Sequence, residues 1–187
     1  MNEPRRVEHQ QTDKGYVPVY TTAVVEQPWD DYKAEDHATW GALYQRQREL
    51  LVGRASDEFL AAQDEMGMTP HAIPRFEQLN EVLGAATGWT LIGVEGLLPE
   101  LDFFDHLANR RFPVTWWIRR PDQIDYIAEP DLFHDLFGHV PLLMNPLFAD
   151  YMQAYGRGGV KAHGVGPEAL VNLTRLYWYT VEFGLIN

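Results

Sequence analysis

Asp131-Leu132-Phe133-His134-Asp135-Leu136-Phe137-Gly138-His139-Val140-Pro141 places two histidines five residues apart in otherwise apolar sequence, with an acid beside the first and a glycine before the second. Imidazoles in such a setting are candidate metal ligands. Further on, Arg175-Leu176-Tyr177-Trp178-Tyr179-Thr180-Val181-Glu182-Phe183-Gly184 holds one carboxylate, Glu182, within an apolar and aromatic run of helical character. Two neutral imidazoles and one carboxylate on one side of an ion leave several coordination positions open. That donor set suits Fe(II) chemistry with dioxygen.

Each candidate has a plainer reading. A five-residue step turns about 500° around an α-helix, so His134 and His139 do not share a face of a straight helix. Gly138 and Pro141 predict that the helix ends or distorts near His139, which lets the rings converge; the alternative is two ordinary polar residues at a helix end. Glutamate is seldom buried unless paired or metal-bound, yet Glu182 could equally lie on a polar face with Asn172, Thr174 and Arg175. Asp135 could orient an imidazole as a hydrogen-bond acceptor or stay solvated. Arg119 could clamp a ligand carboxylate or be a surface residue before the Pro121-Asp122 turn. Phe103 and Phe104 read as core rings rather than as a stacking platform. His9, His37, His71, His106 and His163 carry no assigned role.

Composition narrows the classes. The 187 residues suffice for one domain with a sizeable core. A hydrophobic share of 45% with six Trp, nine Tyr and nine Phe is too rich for a disordered chain and suits an aromatic ligand. A net charge of −12 without a basic run argues against nucleic acid or an anionic membrane surface and for a small-molecule partner. The chain has no cysteine, so disulfides, thiolate ligands and a cysteine nucleophile are excluded and a metal must be held by N and O. The start lacks the apolar core of a signal peptide and no apolar run of membrane-spanning length occurs further on, so the expected location is the cytoplasm.

Along the chain, residues 1–15 are polar and aperiodic and read as a flexible tail. Apolar periodicity predicts two helices from residue 34 to about 66, broken near Gly53, and a third over 75–83, ended by Gly84 and Gly88. Thr90-Leu91-Ile92-Gly93-Val94 reads as a strand leading into a loop and a helix over 99–110, and residues 112–118 read as a second strand. Three more helices are expected over 131–138, 147–155 and 168–183, with a Gly-rich loop at 156–166. The fold class is therefore mainly α with a small β component (α+β).

The residues Phe133 to Pro141 together with Tyr177 to Gly184 closely resemble the pterin-dependent aromatic amino acid hydroxylases, in particular the bacterial single-domain members that act on phenylalanine. The resemblance extends over residues 16–187, through Thr39-Trp40, Gly96-Leu97-Leu98, Phe103, Phe112 to Arg119 and Glu129-Pro130-Asp131. It implies one catalytic domain over 16–187 with that family's fold, its C-terminal portion missing, because relatives continue beyond the second motif. It also implies His134, His139 and Glu182 as iron ligands, Phe103 as the ring on which the pterin stacks and Gly96, Leu97 and Leu98 as the loop meeting the pterin edge. Arg119 would hold the substrate carboxylate, Pro130 and Trp178 would line the ring pocket, and Asp135 and Tyr177 would reach the pterin or metal-bound water.

The implied reaction is hydroxylation of phenylalanine to tyrosine by dioxygen, with Fe(II) and a tetrahydropterin as two-electron donor, in a monomer. Two other functions are kept beside it: a zinc hydrolase, against which the absence of HExxH counts, and a non-catalytic or weakly active metal-binding fragment.

Overall fold

The computed structural model describes residues 10–12, 15–17 and 20–183. Residues 1–9, 13 and 14 of the expected tail lie outside that description, but Gln10–Thr12 (β1) pairs antiparallel with Gly15–Val17 (β2), Gln10 opposite Val17.

The helical half is built as its sequence dictates. Helix α1 (Ala34–Leu51) opens where the Asp36 carboxylate accepts from the Lys33 N–H at 2.8 Å. It buries Trp40, Leu43 and Tyr44, the i, i+3, i+4 set of one face. Trp40 Nε1 and Tyr44 Oη donate to the carbonyls of Thr69 and Met68 at 2.9 and 2.8 Å, which tie down the segment between helices. Helix α2 (Asp57–Glu65) is capped by Ser56, whose Oγ accepts from Phe59 N. Helix α3 spans Phe76–Thr87 and ends four residues later than expected, because Gly84 continues it and only Gly88, at φ +73°, closes it.

A three-stranded sheet has the order β3 (Val24–Val25), β4 (Thr90–Val94), β5 (Arg111–Thr115). Strands β3 and β4 are antiparallel; β4 and β5 are parallel, Thr90 opposite Arg111 and Val94 opposite Thr115. The parallel pair requires a crossover, supplied by α4 (Glu100–Ala108). Pro113 cannot donate to a ladder and sits on the edge strand, where that is tolerated. The strand expected over 112–118 stops at Thr115; Trp117 leaves the sheet and its carbonyl accepts from Leu132 N at 2.9 Å.

The expected loop at 156–166 is helical: α5 runs Pro146–Val165. Gly156 and Gly159 lie where α5 presses on α4. A Cβ on Gly156 would come within 2.3 Å of Ala108 N, and one on Gly159 within 2.0 Å of the Phe104 ring. Glycine here serves close helix approach rather than a turn, its low helix propensity being offset by packing. Helix α6 (Pro167–Tyr177) then packs back on α5.

One ion pair joins the end of the sheet to the helical segment that starts at Asp131. Asp131, fully buried, accepts from Arg119 N, Nε and Nη2 at 2.8–2.9 Å and from His134 N at 3.0 Å. It therefore neutralises a guanidinium that is 11% exposed and caps the helical segment with the same carboxylate. No helix among the described residues is long and apolar enough to cross a membrane.

Gly159→Ala is expected to destabilise the fold by about 1–3 kcal/mol through overpacking, whereas Gly84→Ala, with open space at its Cβ, is expected to stabilise it by up to about 1 kcal/mol. Urea denaturation reads both; equal midpoints would refute the packing role. Asp131→Ala strands the Arg119 charge and is expected to lose about 3–5 kcal/mol. A loss below about 1 kcal/mol would show that the pair is not what fastens the chain after β5 to the helical segment.

Candidate metal centre

The segment expected as a helix ending near His139 is instead widened. After one α-like turn from Asp131, residues His134–His139 form a π-helical stretch, and Val140–Met144 tightens into a 3-10 turn. In a π turn the hydrogen bonds reach five residues, so side chains five apart stand almost above one another. The five-residue spacing that defeats an α-helix therefore fits. The rings of His134 and His139 lie 4.7 Å apart, with their Nε2 atoms 3.3 Å from each other.

The carboxylate arrives by the same device. Beyond α6 the chain widens again over Trp178–Glu182, with Phe183 N donating to Trp178 O at 3.0 Å, five residues back. Glu182 Oε2 comes to 3.4 Å from His134 Nε2 and Oε1 to 3.5 Å from His139 Nε2. Glu182 is thus turned inward, 20% exposed, while Asn172 and Arg175 face solvent. Three donors at these separations form a triangle around which one ion fits at about 2.0–2.2 Å from each, the usual N and O ligand distances. Among the described residues this is the one group of His and acid side chains drawn together tightly enough to hold a metal.

Neighbours fix the orientation. Asp135 Oδ1 lies 2.9 Å from His134 Nδ1, while its Oδ2 accepts from Thr115 N at 2.7 Å. With Nδ1–H donating to Asp135, the Nε2 lone pair of His134 is left for the ion. Burial disfavours charge on His134, but hydrogen bonds and attraction from Asp135 and Glu182 outweigh it and push the imidazole up to about 10. Burial likewise opposes ionisation of Glu182, and the two histidines overcome it and hold the carboxyl well below its usual range. Without an ion, a proton on His134 meets the Glu182 charge; an ion bound at Nε2 would take that proton's place.

The remaining expected residues are placed unevenly. Tyr177 is buried, which drives its phenol far above the usual range; its ring lies 6.4 Å from His139 and meets Phe103 edge-on at 5.4 Å. Phe103 in α4 therefore connects to the histidines through one ring, while Phe104 is core. Gly96, Leu97 and Leu98 form the loop after β4, and the Leu97 carbonyl already accepts from Thr21 N at 2.8 Å. Pro130 is half-buried beside the Arg119–Asp131 pair. Trp178, which the resemblance assigns to the ring pocket, is 52% exposed and stacks on Phe183 at 5.7 Å. Asp131 carried no role in the sequence reading, although an aspartate three residues before His134 is an N-cap pattern that could have revealed it.

Comparison with known proteins agrees with this geometry. Residues 14–187 match the family described as biopterin-dependent aromatic amino acid hydroxylase. The phenylalanine-4-hydroxylase of Chromobacterium violaceum is 63% identical over 161 residues, covering 86% of this chain and 54% of that protein. That of Ralstonia nicotianae is 63% identical over 163 residues, covering 87% and 51%. This chain thus spans about half the length of these relatives. Among solved structures, the C. violaceum enzyme with bound iron(III) and 7,8-dihydrobiopterin superposes with a TM-score of 0.82 at 61% identity, covering 86% of this chain and 58% of that one. Its form with iron and phenylalanine gives 0.78 at 59%, covering 84% and 56%. With a family match over nearly the whole sequence and an N,N,O donor triangle at its centre, the chain belongs to the biopterin-dependent aromatic amino acid hydroxylases.

Proposed function

We propose that this chain carries the metal and pterin site of a phenylalanine 4-monooxygenase, with Fe(II) held by His134, His139 and Glu182. The observation that carries the proposal is the donor triangle with 3.3–3.5 Å edges, a two-histidine, one-carboxylate set that leaves coordination positions open. The names of the relatives, and the iron, dihydrobiopterin and phenylalanine in their structures, support the same reading. When bound, Fe(II) and the tetrahydropterin supply the electrons that reduce dioxygen.

The protein's part is placement. Asp135 keeps His134 in the tautomer that offers Nε2 inward. Arg119, oriented by Asp131, would present its remaining N–H groups to the amino-acid carboxylate. Phe103 and the Gly96, Leu97 and Leu98 loop would hold the pterin, with Tyr177 filling the space between Phe103 and His139 so that water is kept out. Pro130 and Trp178 would bound the substrate ring. A ferrous site suits the reducing cytoplasm.

A weakly active metal-binding fragment remains the second reading. It is favoured by the exposure of Trp178, Tyr179 and Phe183, at 52, 58 and 62%, which leaves the Glu182 side of the site open to water.

Fe(II) is expected to bind one ion per chain. His134→Ala and Glu182→Gln should weaken binding beyond the roughly 10- to 100-fold that removal of an outer partner produces, with Asp135→Asn inside that range. Equal affinities across the set, read by calorimetry under argon, would overturn the ligand assignment. Supplied with phenylalanine, air, Fe(II) and a tetrahydropterin, the chain is expected to form tyrosine and His134→Ala to form none. Zinc substitution should abolish the product, since zinc has no redox chemistry. Iron bound without turnover would favour the fragment reading.

A further inference from the structure

The helical ladder around the histidines is incomplete for a chemical reason. Pro141 has no N–H, and it stands four residues after Phe137 and five after Leu136. It therefore withholds the α-type donor from the Phe137 carbonyl and the π-type donor from that of Leu136. A buried carbonyl without a donor is strongly disfavoured. Another helix supplies a donor there: Gln63 Nε2 of α2 lies 3.4 Å from Phe137 O.

Gln63 is fully buried, and its amide has one satisfactory orientation. Its Oε1 accepts from Arg48 Nη1 at 3.0 Å, and Arg48 is itself fixed by the Leu60 carbonyl at 3.1 Å and by Asp64 at 3.0 Å. An amide whose oxygen faces a guanidinium turns its NH2 the other way, here onto the π turn. Phe59 and Tyr44 pack edge-on against the Phe137 ring from the same side.

We infer that Gln63 is a positioning residue of the metal centre: through the Phe137 carbonyl its amide holds the turn at the width that puts His134 and His139 on one face. Gln63 touches neither imidazole. If the turn relaxed to α geometry, the two rings would diverge by about 140° and the donor triangle would be lost. The inference rests on the reading of His134, His139 and Glu182 as ligands.

The test titrates Co(II) into the full 187-residue chain, following its visible bands together with thermal melting. Gln63→Glu keeps an acceptor for Arg48 and removes the donor, and Gln63→Leu removes both. Asn80→Ala serves as control, since Asn80 bonds Leu91 N and O at 2.6 and 3.2 Å in β4 and does not touch the π turn. Both Gln63 variants are expected to melt cooperatively and to bind Co(II) about tenfold more weakly or worse, with shifted bands. Asn80→Ala should melt earlier yet bind as wild type does. Wild-type affinity and bands in the Gln63 variants would overturn the inference. So would an equal loss in Asn80→Ala, or failure of both Gln63 variants to melt cooperatively, which would make Gln63 a folding residue only. Absence of Co(II) binding by wild type would instead overturn the ligand reading and this inference with it.

Discussion

Inside a continuous helical segment, two side chains five residues apart can share one ion where the backbone hydrogen bonds reach back five residues, and the rest of the molecule is arranged around that constraint. Asp131 starts the segment, its carboxylate capping His134 N while clamping Arg119. Pro141 limits its length by removing a donor. Phe133 and Phe137, stacked at 4.8 Å, form one side of the segment and are met by Trp40, Tyr44 and Phe59 from α1 and α2. His134, Asp135 and His139 are turned toward β5 and the end of α6, where Thr115, Phe112 and Tyr177 receive them. A widened turn is intrinsically unfavourable, and it survives because both of its faces are held.

The same economy governs charge. A chain of net charge −12 leaves most of its acids in water, but Asp131, Asp135 and Glu182 are drawn inward, and each has definite partners. Asp131 has a guanidinium and two backbone donors, Asp135 a backbone N–H and an imidazole, and Glu182 two imidazoles. Buried carboxylates without such partners would shift toward the neutral form or destabilise the fold. In the first two cases the carboxylate also fixes the orientation of its neighbour, Arg119 or His134, so stability and geometry are secured by the same bonds.

Much of this is legible in the sequence. The His134, His139 and Glu182 cluster, the family and the helical class emerge from two short motifs, because donor chemistry depends on residue type and those motifs are long enough to be specific. The approximate spans of α1, α2 and α4 emerge from the apolar period and its breaks. Glycine is where local rules mislead. At Gly84 and across Gly156 to Gly164 they predict a break, yet α3 and α5 run through these positions. For Gly156 and Gly159 the reason is contact with α4, which no local window reveals. The π turn is likewise invisible: spacing shows that a straight α-helix would not serve, but the choice between ending and widening depends on donors supplied from β5 and elsewhere in the tertiary structure.

Glu182 lies 48 residues from His134 and comes from the last segment described, whereas the histidines come from the centre of the fold. An ion bound to all three would act as a removable cross-link, closing a loop that contains α5 and α6. Closure of a loop of that length removes about 3–4 kcal/mol of freedom from the unfolded chain. The ion would thus be as much a clasp as a reagent, and resistance of α5 and α6 to heat and proteolysis would rise and fall with metal supply.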